Sequence, residues 1–322
     1  MALTTKIPRE FGNLSFLVSL DLGSNNFHGN LPQEMARLCR LKFLRLSVNN
    51  FRGEVPSWFG FLHRLQLLNL GYNSFTGSIP SSFSNISTLE TLNLNFNSIE
   101  GQIPKVIGSL INLRELHLRG NKLIGSIPLS LSNASRIEVI AFTGNSLSGY
   151  LPNCLCNGLP ILKGLYLSYN KLRGHMPTSL SNCSQLQILF LLENEFDGPI
   201  HSEIGSLTNL QILALGTNHF TGIIPQQIGN LVNLVELGME ENQVTGSVPI
   251  SIFNILSLQL LSLTQNNLSG FLPREIGNLT NMQRLQISGN KLIDPLELLK
   301  FYEYMHAMSN KNVRITDKSS TV

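Results

Sequence analysis

LVSLDLGSNNFHGNLP at residues 17–32, LQLLNLGYNSFTGSIP at 65–80 and LRELHLRGNKLIGSIP at 113–128 are one segment written three times. Working outward from them, asparagine returns at Asn25, Asn49, Asn73, Asn97, Asn121, Asn145, Asn170, Asn194, Asn218, Asn242, Asn266 and Asn290. Successive members are separated by ten intervals of 24 and one of 25, the longer one running from Asn145 to Asn170. Around each, the pattern is L-x-L-x-x-N-x-φ-x-G-x-φ-P. A period held this long is the signature of a stacked-repeat architecture. The unit around Asn25 is unit one and that around Asn290 is unit twelve.

Each slot has a physical task. Leu20 and Leu22, five and three residues before the ladder Asn, have strand spacing and point to one side. Leu14, Leu17, Phe27 and Leu31 supply apolar slots for the next coil to cover. An Asn amide can both donate and accept, so the ladder Asn can pair turn backbone that would otherwise be buried without partners. Gly stands four residues later in eleven of twelve units, Gly29 to Gly270, which predicts a turn with φ > 0. Pro stands seven residues later in ten of twelve, Pro32 to Pro273, which keeps that segment from being a central strand of a continuous second sheet. The predicted fold is an α/β solenoid. It is a curved superhelix with one short parallel strand per 24-residue coil on its concave side and 3-10 or irregular structure on its convex side.

Composition narrows the function. The 322 residues hold 23 Lys+Arg against 20 Asp+Glu, a net charge of +3 that leaves no basic stripe for nucleic acid or an acidic membrane. No run of 18 apolar residues occurs, and the first thirty residues lack the basic and apolar regions of a signal peptide. G-x-G-x-x-G, H-R-D, D-F-G and G-x-S-x-G are missing. Ser168–Lys171 and Ser288–Lys291 match S-x-x-K only because the strand–Asn–Lys register creates it. The seven His show no metal-ligand spacing. The expectation is a chain that is no enzyme and holds no metal or cofactor.

The repeat LxxLxLxxNxFxGxIPxxIGNL resembles the plant-specific leucine-rich repeat. IPREFGNLSFLVSLDLGSNNFHGNLP and LCNGLPILKGLYLSYNKLRGHMP are similar to ectodomains of plant leucine-rich-repeat receptor kinases, within the group of immune receptors that sense bacterial flagellin and elongation factor. The resemblance covers residues 1–295, a half coil plus twelve repeats. It implies a peptide-binding extracellular region at the plasma membrane in defence signalling. It also implies a co-receptor partner, and a Ser/Thr kinase in full-length members. Compared with such ectodomains, this chain opens at a ladder slot without the cysteine-paired, tryptophan-bearing cap, so it is expected to be truncated. Residues 296–308 read as an amphipathic helix, either a cap or the start of an insertion, and 309–322 as a polar tail. Two other readings compete. One is a secreted protein resembling the inhibitors of fungal polygalacturonase, against which twelve repeats without caps argue. The other is a cytosolic or non-functional receptor fragment.

Four cysteines are too few for a disulfide framework. Cys183 takes a slot filled by Leu14, Leu62 and Leu207 elsewhere, so it reads first as a small buried apolar residue. A bridge to Cys156 in the coil with the extra residue remains open, as does the role of Cys154. Sequons occur at Asn13, Asn85, Asn133, Asn182, Asn267 and Asn278; five of the six fall twelve residues after a ladder slot, away from the strands.

Binding is expected on the concave face, where variable strand positions point outward. Units seven to ten carry Tyr166, Tyr169, Phe190 and Leu192 beside Glu193, Glu236, Glu240 and Glu241. Aromatic anchors with carboxylates suit an extended peptide bearing a basic residue near Glu240. Ala214, Gly216 and Gly238 should leave room for ligand backbone. A second patch in units two to five holds Arg45, Tyr72, Asn93, Asn95, Phe96, His117 and Arg119.

Overall fold

The computed structural model of the chain describes residues 3–293. The helix expected over 296–308 and the tail at 309–322 lie outside the described residues. Twelve three-residue strands, from Ser19–Asp21 to Arg284–Gln286, form one parallel sheet in strict sequence order. Their register is the sequence period: Ser19 faces Phe43 and Phe43 faces Leu67, and only Val139 facing Gly164 carries the longer interval. Every strand but the last, whose Leu285 is exposed, buries its central residue, and most expose or half-expose the residues on either side, as a one-sided parallel strand requires.

The ladder Asn does more than its spacing implies. The Asn218 side-chain Nδ2 donates to the carbonyls of Leu215 in its own coil (3.1 Å) and Leu191 in the coil before (2.9 Å). Its Oδ1 accepts the Phe196 backbone N–H at 3.0 Å, also in the preceding coil. The same three contacts recur at Asn49, Asn73 and on to Asn290. One amide therefore satisfies three backbone groups in two coils, and Asn218 is itself only 5% exposed.

A second feature of the turn has no sequence signature. The residue just before the ladder Asn has φ between 49° and 71° in every unit. In nine units it is not glycine: Ser24, Val48, Tyr72, Phe96, Tyr169, Glu193, Thr217, Glu241 and Gln265. Such a conformation costs roughly 1–2 kcal/mol for a side chain with a Cβ, and the bonds of the adjacent Asn hold it in place. The expected glycine turn is also present, with φ of 70° to 91° from Gly29 to Gly270.

Beyond the Asn, the chain forms second strands where the repeat pattern predicts irregular structure. They make three separate parallel sheets of three, six and three strands, in a register of their own: His28 faces Asn50, not its repeat equivalent Arg52. The prolines keep each strand short, and Pro199 closes the strand Glu195–Pro199. Eleven 3-10 helices then line the convex side, from Arg9–Asn13 to Arg274–Asn278. A proline in extended conformation precedes ten of them, and His201 replaces it once. Glycine within these helices lets neighbouring coils approach: a Cβ on Gly108 would lie 2.0 Å from the Ser130 carbonyl oxygen.

The core is a single column between the sheet and the helices. Phe27, Phe51 and Phe75 stack at 6.1 and 6.2 Å, and Phe196 on Phe220 at 6.2 Å. Leu38, Leu62, Leu110 and Leu207 are buried. Leu14, expected to be covered in the same way, is 50% exposed in the first coil, where a neighbour lies on one side only among the described residues. The coil with the extra residue carries turns over 153–158 instead of a 3-10 helix, and there Cys156 bridges to Cys183 across adjacent coils, with Cα atoms 5.0 Å apart. Cys183 is thus buried as a half-cystine and not as a lone apolar filler, which corrects the expectation. Cys39 and Cys154 are free.

Two stability measurements test this account. Asn218→Ala orphans two carbonyls and one N–H, and urea unfolding is expected to show a loss of about 2–4 kcal/mol. A loss no greater than that of Asn254→Ala, at an exposed position outside the ladder, would refute the three-contact role. Val48, half exposed at φ 57°, is a β-branched residue in the left-handed region. Val48→Gly is expected to gain about 1 kcal/mol by the same measurement, and a loss would mean that the Val side chain contributes more than its backbone strain removes.

Candidate functional site

The concave sheet turns its flanking strand residues and the left-handed residue before each Asn into one open surface. Among the expected residues of units seven to ten, the contacts run between adjacent strands. Tyr166 and Phe190, half-buried at equivalent positions of adjacent strands, stack at 5.5 Å with planes 26° apart. Tyr169 is 48% exposed, and the Glu193 charge beside it, with smaller contributions from burial and a hydrogen bond to that carboxylate, pushes its hydroxyl pKa up. Glu241 is exposed and accepts a hydrogen bond from the Thr217 hydroxyl at 3.2 Å.

Glu240 behaves differently. Its side chain folds over the two glycines beside it: a Cβ on Gly216 would lie 2.5 Å from its Oε1, and one on Gly238 3.1 Å from its Oε2. The space that Gly216 and Gly238 were expected to leave for ligand backbone is thus partly taken by this carboxylate. Its Oε2 is buried and has no hydrogen-bond partner. A hollow of about 250 Å³ opens beside it, lined by Leu192, Ala214, Glu236, Ser262 and Arg284. A buried carboxylate oxygen without a donor costs more than the roughly 1–3 kcal/mol of a neutral group.

The second patch is largely satisfied within itself. Asn93 accepts the Asn95 backbone N–H at 3.0 Å, and Asn95 accepts that of Arg119 at 2.7 Å. His117 lies 3.2 Å from Glu115, and Arg45 lies 3.7 Å from Asp21. Tyr72 and Phe96 stack at 4.6 Å on the surface, with the Phe96 ring over Gly120. Arg119 does not stay with this group. Its guanidinium reaches across unit six to lie 4.4 Å from the centre of the Tyr166 ring. The two patches drawn from the sequence meet there.

Three features lie outside the sequence expectations. Ser168, two residues before Asn170, is 4% exposed and its Oγ has no partner. Along the sheet margin, Arg114 lies 2.9 Å from Glu138 and 3.8 Å from Glu90, and Lys163 lies 2.7 Å from Glu138. The hydrogen bond from Lys163, and then that from Arg114, outweigh burial and hold the Glu138 carboxyl below its usual range. Reading the position seven before each Asn would have found this row. Hollows of about 690 and 790 Å³ also lie on the opposite flank, around Tyr150 and His175 and around Trp58; they sit beside the second strands and helices, away from the concave residues.

All six sequon asparagines are exposed, and Asn13, Asn85, Asn133, Asn182 and Asn278 each end a 3-10 helix. Among the described residues, no helix is long and apolar enough to cross a membrane, and no group of three or more His, Cys, Asp or Glu could hold a metal ion.

Residues 2–173 match a family described as leucine-rich repeat region, and residues 209–231 and 257–279 match the leucine rich repeat. No curated protein sequence matches the chain. Among solved structures, the plant peptide hormone receptor RGFR1 in complex with RGF2 is 36% identical with a TM-score of 0.88, over 90% of this chain and 46% of its own. The ectodomain of the Arabidopsis receptor kinase HAESA, with an N-terminally extended IDA peptide hormone, is 33% identical with a TM-score of 0.86, over 94% of this chain and 51% of its own. HAESA in complex with IDA and the co-receptor SERK1 is 32% identical with a TM-score of 0.77, over 90% and 52%. The chain spans about half the length of these relatives.

Proposed function

Because this chain belongs to the leucine-rich-repeat family, we propose that it is the peptide-recognising part of a plant receptor ectodomain on the extracellular side of the plasma membrane. In this reading an extended peptide lies across units seven to ten and sets a basic residue against Glu240. The observation that carries it is the buried, unpartnered Oε2 of Glu240 beside its hollow, next to the stacked Tyr166 and Phe190. Glu236 adds a second carboxylate to the same hollow. A rigid sheet with an apolar anchor and a desolvated charge is suited to an extended chain whose own conformation contributes little.

The similar receptors support the peptide class, since RGFR1 and HAESA are each solved with a peptide hormone. HAESA is also solved with a co-receptor, and a co-receptor contact on an edge of this solenoid belongs to the same proposal. A role in defence signalling rests on the resemblance of the repeats to the flagellin- and elongation-factor-sensing receptors. Glycans on the five sequons that end 3-10 helices would crowd the helical side and leave the concave sheet open, as a secreted receptor needs.

Panning a displayed random-peptide library on the purified chain tests the ligand reading. Peptides enriched in Lys or Arg are expected, and Glu240→Lys combined with Glu241→Lys should abolish the enrichment. Equal enrichment on the charge-reversed chain would remove Glu240 from the site. Mass spectrometry of the chain secreted from plant cells behind an added signal peptide tests the glycans. Occupancy is expected at Asn85, Asn133 and Asn182, and three bare sites would discard the secreted glycoprotein.

A further inference from the structure

Arg119 is a half-buried cation that no carboxylate answers. It forms no ion pair and no side-chain hydrogen bond among the described residues, and its Nε is buried without a partner. It occupies the position two before the ladder Asn in unit five; Thr143 and Ser168 hold that position in units six and seven. The row therefore runs from a guanidinium to a serine that is only 4% exposed and whose hydroxyl is itself unpartnered. The guanidinium is held by the Tyr166 ring, a contact that orients it without neutralising it. An unanswered cation and an unpartnered hydroxyl at the same repeat position, two units apart, are the donors that an anion needs.

We infer that the peptide proposed above also carries an acidic side chain, which binds at Arg119 and Ser168, so that the ligand is dipolar with its acid and its base on one face of an extended chain. The inference rests on the peptide reading and adds the second charge and its distance. The Arg119 guanidinium lies over unit seven, and the Glu240 carboxylate lies over the glycines of units nine and ten. At roughly 4.8 Å per strand, about two and a half units separate the two charges by about 12 Å. An extended chain covers that in about four residues at ~3.3 Å each. Phe190 and Leu192 of unit eight lie between, half-buried and apolar. Residues two apart share a face in an extended chain. The surface therefore reads acid–x–apolar–x–base, with all three recognised side chains pointing at the sheet. The carboxylate would accept from the guanidinium and the Ser168 hydroxyl, and the ligand cation would donate to Glu240, so each buried orphan gains its partner.

The test uses fluorescent peptides blocked at both ends, so that only side-chain charges count. The first is Asp-Ser-Leu-Ser-Arg flanked by Gly-Ser. Three variants replace Asp by Asn, Arg by Gln, or both. Fluorescence anisotropy with the full chain should show the acid and the base each tightening binding about tenfold or more, the range of a charge-assisted hydrogen bond. Arg119→Gln should erase the advantage of Asp and keep that of Arg, which also shows that the variant is folded. Glu240→Gln should do the reverse, and Ser168→Ala should reduce the Asp advantage alone. If Arg in the peptide matters and Asp does not, the anion site is wrong while the peptide reading stands. If Asp helps equally on Arg119→Gln, the site is elsewhere and the inference fails. If none of the four peptides binds, both the dipolar motif and the placement against Glu240 are overturned.

Discussion

The structure depends on one constraint: a chain that leaves a strand, turns and passes under its neighbour once in every coil must not bury unpaired backbone. A single Asn per coil meets it. Its amide nitrogen bridges two carbonyls one coil apart, and its oxygen takes the N–H that the turn releases. Aspartate could not donate to the carbonyls, and a hydroxyl could not reach all three groups. The residue before the Asn must then adopt a left-handed conformation, including at Val48 and Thr217, where the side chain opposes it. Local preference yields to the pairing of the ladder.

That frame determines where variation is harmless and therefore where recognition can reside. Leucines facing the core of the interior coils have no freedom, because each is covered by its equivalents in the coils before and after. Strand residues facing the concave side touch only their lateral neighbours. Charge and aromaticity placed there are held by a sheet that does not need them. The second patch has used this freedom to satisfy itself, with Asn93 and Asn95 closing backbone groups and His117 resting on Glu115. Between units five and ten it has been used differently. Arg119, Ser168 and Glu240 each hold a buried polar atom with no partner. Such atoms are costly to a folded chain, and all three belong to residues two positions before a ladder Asn.

The similarity to peptide hormone receptors accords with this reading but could not have replaced it. A solenoid of the same period and curvature presents whatever its variable positions spell, so the fold alone is silent on the ligand. The residues that matter are those the repeat leaves free.

Period, strand positions, the glycine turn and the single core were legible from the chain itself, because each follows from a residue type recurring at one spacing. The concave location of Tyr166, Phe190 and Glu240 was legible for the same reason. Lateral contacts were not. Nothing in the spacing says that Arg119 will cross unit six to reach Tyr166, that Glu240 will lie over Gly216, or that Cys156 will find Cys183 beside the inserted residue. Nor does it reveal second strands that pair His28 with Asn50, since a register short of the repeat period comes from turn geometry and not from an apolar pattern. Sequence by itself determined which side chain occupies each slot of the repeat. Only the tertiary structure decided which slots lean on one another, because side chains choose among staggered directions according to the neighbours that stacking brings within reach.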